Sequence, residues 1–239
     1  VLEEWHYEPA RDLGLRGHDR RQSLSREVGL VSASSSLAWR GLTRAYLAVA
    51  HRVTIRGRGN LPLDPPFVMV ANHSSHLDAV VLAAALPVRH VARAFPIAAG
   101  DTFFTKPARS IFATACMNAL PIWRSNCGAH SLDELRERLT TGASIFILFP
   151  EGTRTRTGAM SRFKPGVGRL VAGTSAAVVP CYLRGTWDAL PPTRSLPRPS
   201  PIELTIGKPL SCQLVPNNRE GWETIAAGAE SAVRELAGG

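Results

Sequence analysis

His73 and Asp78 stand five positions apart in the run Asn72-His73-Ser74-Ser75-His76-Leu77-Asp78, directly after the apolar stretch Phe67-Val68-Met69-Val70. An imidazole oriented by a carboxylate is a general base that works near neutral pH, because the carboxylate sets the tautomer and stabilises the imidazolium. Ser74, Ser75 and Asp78 supply capping groups for a helix start, and a bend there would swing His73 back to Asp78. His76 opens a metal reading, since two histidines three apart can share an ion. No third ligand stands at suitable spacing, and no metal site is expected. Ser74 and Ser75 lack the Gly-x-Ser-x-Gly elbow that exposes a serine nucleophile. That leaves His73 to activate a hydroxyl of the substrate itself.

A second cluster, Phe149-Pro150-Glu151-Gly152-Thr153-Arg154, follows the apolar stretch 145–149. Pro150 ends a strand and Gly152 permits close backbone approach to a ligand. Arg154 presents a planar fork suited to phosphate oxygens, and Arg156, Arg162 and Lys164 add positive charge. Glu151, among so many cations, orients them rather than acting as an acid. Arg124, after Leu120-Pro121-Ile122-Trp123, is a separate candidate for a phosphate. Taken alone, such a cluster also fits a polar turn with solvated arginines, and a lone His or Asp is most often a satisfied polar residue.

The elements that must position these groups alternate. Short apolar runs at 67–70, 144–149, 177–183 and 202–206 read as buried strands. Residues 53–55 read as a further strand, and a short strand is expected around 90–92. Helical stretches fall at 77–86, 108–115, 164–173 and 219–236, and Ser131-Leu132-Asp133-Glu134 predicts a capping box opening a helix to about Thr141. The pattern predicts an α/β fold: a single domain, 53–239, with a mixed, mostly parallel sheet flanked by helices. Both chemical clusters follow strands, where α/β sheets carry their ligand sites.

Residues 1–52 form an N-terminal arm and an amphipathic helix. The arm, 1–30, is rich in Arg, Asp and Glu, and 1–27 is polar and charged throughout with no signal-peptide pattern. On a helical wheel of 34–52, Ala38, Trp39, Leu42, Ala45, Tyr46 and Val49 share one face, with Arg40, Arg44 and His51 opposite. Such a helix either docks on the core or lies on anionic lipid. No run of about 18 uncharged apolar residues is present, so no conventional span is expected. The net charge of +9 over 239 residues calls for an anionic partner: nucleic acid, an acidic membrane or a phosphorylated substrate. The four cysteines, Cys116, Cys127, Cys181 and Cys212, show no paired spacing and are expected as free thiols.

Residues 72–78 resemble the first motif of the glycerolipid (lysophospholipid) acyltransferases. Residues 149–154 are similar to the third motif, Val178-Val179-Pro180 to the fourth, and Asn118-Ala119-Leu120-Pro121-Ile122-Trp123-Arg124 to the second. Order and spacing fit from about Arg44 to Leu210. Ser74 stands where glutamine is frequent, and Asn118 and Trp123 replace the small and polar residues often seen in the second motif. The resemblance implies that His73 is the general base and Asp78 its orienting partner. It implies a phosphate site of Arg124, Glu151, Gly152, Thr153 and Arg154, with Lys164 nearby, and a Pro180 that shapes the acyl-donor side. The implied reaction moves an acyl group from acyl-CoA or acyl-carrier protein to the hydroxyl of a lysophospholipid, foremost 1-acyl-sn-glycerol-3-phosphate, without a cofactor. The implied place is the cytoplasmic face of a membrane, peripheral or monotopic, on an anionic surface and without nucleic acid. The rivals are another lysolipid acceptor, such as a lyso-ornithine lipid, a thioesterase, and a basic binding module for membranes or nucleic acid without catalysis.

Overall fold

The computed structural model describes residues 10–123 and 129–238. Its seven strands are β1 (Thr54–Arg56), β2 (Phe67–Ala71), β3 (Ala94–Ala99), β4 (Leu120–Ile122), β5 (Ile145–Leu148), β6 (Ala177–Arg184) and β7 (Glu203–Ile206). They form one sheet in the order β1-β7-β6-β2-β5-β3-β4. The five strands from β6 to β4 are parallel, β7 runs antiparallel to β6, and β1 is parallel to β7. The helices are α1 (Gly17–Gln22), α2 (Leu30–His51), α3 (Asp78–Ala85), α4 (Gly100–Phe103), α5 (Pro107–Ala115), α6 (Ala129–Thr141), α7 (Gly166–Val171), α8 (Thr186–Ala189) and α9 (Arg219–Ala237). This is the expected α/β architecture.

β2 is apolar throughout because both its faces are covered. Phe67, Met69 and Ala71 join the core under α2 and α3, while Val68 and Val70 join the core under α6, α7 and α9. The chain leaves β2 into α3 on one face and leaves the neighbouring β5 towards α7 on the other. Their connections diverge at the carboxyl ends of the strands, which opens the crevice where such sheets bind ligands.

Helix α2 runs over the 34–52 stretch and starts four residues before it, and the face it turns to the protein is the polar one. Its buried residues are Ser36, Arg40, Thr43, Leu47 and His51. Ser35 and Ser36 hydroxyls donate to Ala115 O at 2.8 and 2.9 Å, and Arg40 Nη2 donates to Ala84 O at 3.4 Å. These carbonyls lie in the last turns of α5 and α3, where helices leave acceptors unpaired and carry partial negative charge. Donors and a cation therefore belong on the inner face of α2. Most of its apolar face is left outside, with Leu42 63% and Val49 84% exposed, while Trp39 packs edge-on against Phe112 of α5.

Two local expectations differ. Residues 88–93 form a 3-10 turn rather than a strand, because Pro87 starts a tight turn closed by His90 N–H on Pro87 O at 3.0 Å. The strand begins at Ala94. Helix α6 starts at Ala129, two residues before Ser131, so Ser131 lies inside the first turn instead of capping it. Among the described residues no helix is long and apolar enough to cross a membrane. Cys116, Cys181 and Cys212 are free thiols, and Cys127 lies outside the described residues.

Candidate active site

The site begins where β2 ends. Ala71 pairs in register with Cys181 of β6. One step on, the Asn72 side chain takes over the ladder: Nδ2 donates to Leu183 O at 3.0 Å and Oδ1 accepts from Leu183 N–H at 2.8 Å. A side-chain amide reproduces the donor and acceptor of a peptide unit, so the main chain can turn out of the sheet at His73.

The turn is wound on Asp78, which is fully buried at the start of α3. Its Oδ2 accepts from the backbone N–H groups of Ser74 and Ser75, each at 2.7 Å, and from His73 Nδ1 at 2.9 Å. A carboxylate only accepts, so Nδ1 carries the hydrogen and Nε2 holds the basic lone pair. The imidazole also stacks on Phe149, with centroids 4.0 Å apart and planes 14° from parallel. Carboxylate and aromatic ring together hold the imidazole in one orientation. The two serine hydroxyls are engaged elsewhere, Ser74 Oγ with Thr186 Oγ1 at 3.1 Å and Ser75 Oγ donating to Leu190 O at 2.7 Å. Both serines are buried, as a nucleophile would not be.

The loop after β5 closes the other side. Glu151 is buried, and its carboxylate accepts from His73 N–H at 2.6 Å and Ser161 N–H at 2.8 Å. Burial pushes its pKa up, while the two amide hydrogen bonds pull the other way. Glu151 thereby braces the base loop to the cationic loop. Thr155 N–H adds a bond to His73 O at 2.9 Å.

Above this brace lies a cationic rim. Gly152 has φ +79°, and the Lys164 ammonium sits 2.7 Å from where a Cβ would be. Only glycine accepts that backbone angle without strain and leaves the lysine room. Thr153 is exposed beside it. The Arg154 guanidinium lies against the His76 ring, Nη1 being in contact with Nδ1 and 2.7 Å from Nε2. Burial first, and the Arg154 charge second, lower the His76 pKa. His76 is thus a neutral neighbour of Arg154 at neutral pH. Among the described residues no group of three or more His, Cys, Asp or Glu is placed to hold a metal ion.

The structure therefore brings His73, Asp78, Glu151, Gly152, Thr153, Arg154 and Lys164 to one crevice. Pro180 lies inside β6 opposite Val70, where its carbonyl accepts from Gly207 N–H at 2.8 Å. Arg124 lies outside the described residues. Residues not singled out from the sequence also build the site: Thr155, Ser161, Thr186 and Leu190. They act mostly through backbone groups or plain hydroxyls far along the chain, which leave no mark in residue type. His76, which the sequence offers only as a metal ligand, here lies against Arg154.

A family model described as Acyltransferase matches residues 52–184, more than half of the chain, from His73 to Lys164 inclusive. The chain belongs to the acyltransferase family. Among relatives, a 1-acyl-sn-glycerol-3-phosphate acyltransferase of Chlamydomonas reinhardtii is 34% identical over 196 residues, 80% of this chain and 55% of that protein. A chloroplastic enzyme of the same name from Arabidopsis thaliana is 34% identical over 144 residues, 59% of this chain and 38% of its own. The human alpha form is 31% identical over 141 residues, 57% of this chain and 47% of its own. The chain thus spans about half the length of the curated relatives it matches. The crystal structure of the 1-acyl-sn-glycerophosphate acyltransferase PlsC from Thermotoga maritima shares the fold, with a TM-score of 0.67 at 24% identity over 84% of this chain and 78% of that one.

Proposed function

We propose that this acyltransferase-family chain moves a fatty acyl group from a thioester, acyl-CoA or acyl-carrier protein, to the free hydroxyl of a lysophospholipid. The acceptor that fits best is 1-acyl-sn-glycerol-3-phosphate, and the product is then phosphatidate. The observation that carries this reading is the placement of the His73 base and a rim of Arg154 and Lys164 around Gly152 in one crevice. A lysophosphatidate offers a hydroxyl to the first and a phosphate to the second.

In the reaction His73 Nε2 takes the hydroxyl proton as the oxygen attacks the thioester carbonyl. The tetrahedral intermediate collapses, the carbon–sulfur bond breaks, and the imidazolium returns the proton to the departing thiolate. The Asp78 carboxylate stabilises the imidazolium. The work is done at the cytoplasmic face of a membrane, where the outward apolar face of α2 enters the interface and the net charge of +9 favours anionic lipid.

The test is thiol release from acyl-CoA, with lysophosphatidate, with a phosphate-free lysolipid such as a lyso-ornithine lipid, and with no acceptor. Release is expected to require lysophosphatidate. Equal rates with the phosphate-free acceptor would remove the phosphate from the reading, and release without acceptor would make the protein a thioesterase. Arg154→Ala is expected to raise the acceptor KM more than the donor KM; equal effects would remove its role.

A further inference from the structure

His76 is the exposed tip of the turn between β2 and α3, and the residues on either side of it, Ser75 and Leu77, are buried. Ser75 Oγ donates to Leu190 O at 2.7 Å and accepts from Leu77 N–H at 3.1 Å. The backbone that carries His76 is therefore held to the segment after β6. The base of Arg154 is tied to the same turn, since its neighbour Thr155 donates N–H to His73 O at 2.9 Å. With both backbones set, side-chain contacts decide where the guanidinium points, and an arginine side chain has many rotamers to lose.

The His76 ring is one of those contacts. Arg154 Nη1 touches its Nδ1 and lies 2.7 Å from its Nε2. An arginine only donates, so the ring nitrogen it meets has to accept, and only a neutral imidazole keeps a lone pair for that. A second proton on the ring would remove the lone pair and set two cations against each other. The other groups that face the ring are His73 and Asp78 of its own turn and the Pro192 carbonyl from the segment after α8. Partial burial acts most and disfavours the protonated ring, as do Arg154 and His73, while Pro192 and Asp78 favour it. The balance lowers the His76 pKa from the usual histidine range. Neutral pH keeps the ring in its accepting form, and acid takes that form away.

We propose that His76 is a positioning residue for the acceptor's phosphate: its neutral ring holds the Arg154 guanidinium at the rim of the crevice, and the protonated ring lets it go. This rests on the lysophosphatidate reading above. It makes acceptor affinity, rather than the chemical step, the part of the reaction that acid weakens through His76.

The test is calorimetric titration of the full chain with sn-glycerol 3-phosphate, without any thioester, from about pH 8 to about pH 5. Wild type is compared with His76→Gln, which offers an acceptor that does not titrate, and with His76→Phe, which offers none. The phosphate ionises in the same range, but equally for all three proteins, so the ratio of wild-type to variant affinity is what is read. Against His76→Gln this ratio should fall roughly tenfold towards acid, the size of one hydrogen bond to a charged group. His76→Phe should bind roughly tenfold more weakly than wild type at about pH 8 and approach it at about pH 5. In acyl-transfer assays the same change should appear in the acceptor KM and not in the donor KM. A constant ratio, a ratio that rises in acid because the protonated ring joins the phosphate, or no binding to wild type would each overturn the proposal. A protein that shows the expected ratio but releases no thiol would end the acyl-transfer reading and leave His76 its role. A constant ratio beside normal transfer would do the reverse.

Discussion

The strand-end crevice and helix α2 both bury polar side chains, and they do so with opposite chemistry. In the crevice the buried carboxylates are acceptors: Asp78 and Glu151 gather backbone N–H groups from the turn between β2 and α3 and from the loop after β5. On α2 they are donors: Ser35, Ser36 and Arg40 reach carbonyls in the last turns of α5 and α3. The neighbouring backbone dictates this division: the turns beside the carboxylates show N–H, and the helix ends beside α2 show C=O. What the two regions turn outward differs as well. The crevice presents a base and cations, and α2 presents Leu30, Val31, Leu42 and Val49. One region turns polar groups outward, the other an apolar face.

The largest effect that can break this comparison is on rate. His73→Ala and Asp78→Asn should each lower acyl transfer about 10²–10⁴-fold, but only Asp78→Asn should also lower stability, by about 1–3 kcal/mol, because Asp78 alone holds the Ser74 and Ser75 amides. Steady-state kinetics with denaturant melts distinguish them, and near wild-type turnover in His73→Ala would end the role of the dyad. On α2 the reverse split is expected. Replacing Leu42 and Val49 together by Gln should reduce binding to anionic vesicles at least about tenfold, given about 1.5–3 kcal/mol for each fully buried side chain. Unfolding should stay within about 0.5 kcal/mol of wild type. A destabilised double variant would mean that this face packs on protein.

A smaller effect sharpens the crevice side. Glu151→Gln sets an amide N–H₂ against a backbone N–H and should cost about 1–3 kcal/mol. It should also change the pH profile. Burial raises the Glu151 pKa in the folded state, so its contribution is full below the unfolded value and is lost as pH rises through the folded one. Subtracting the melts of the variant from those of wild type, from acid to neutral pH, should show a difference that declines with rising pH. A flat or rising difference would contradict the assignment.

Much of the fold was open to reading because the signals are local. Runs such as Phe67–Ala71 and Ile145–Leu148 are apolar at every position, as strands buried on both faces must be. Helix α9 shows the ordinary case: Ile225, Ala226, Ala229 and Val233 face the core, and Asn218 caps its start by accepting from Gly221 N–H at 2.9 Å. The 3-10 turn at 88–93 was not legible, because three apolar-rich residues suit a strand or a turn equally until Pro87 is seen to close one.

The sequence by itself determined that a histidine and a carboxylate follow one buried strand, that a glycine and cations follow another, and that α2 has an apolar and a polar face. Tertiary structure alone decided the rest. Packing β5 beside β2 placed residues 78 positions apart, His73 and Glu151, at hydrogen-bond distance. It also turned the polar face of α2 inward, against helix ends that needed donors. Periodicity along a chain shows that a helix has two faces. Which one meets protein depends on what the neighbouring elements leave unpaired.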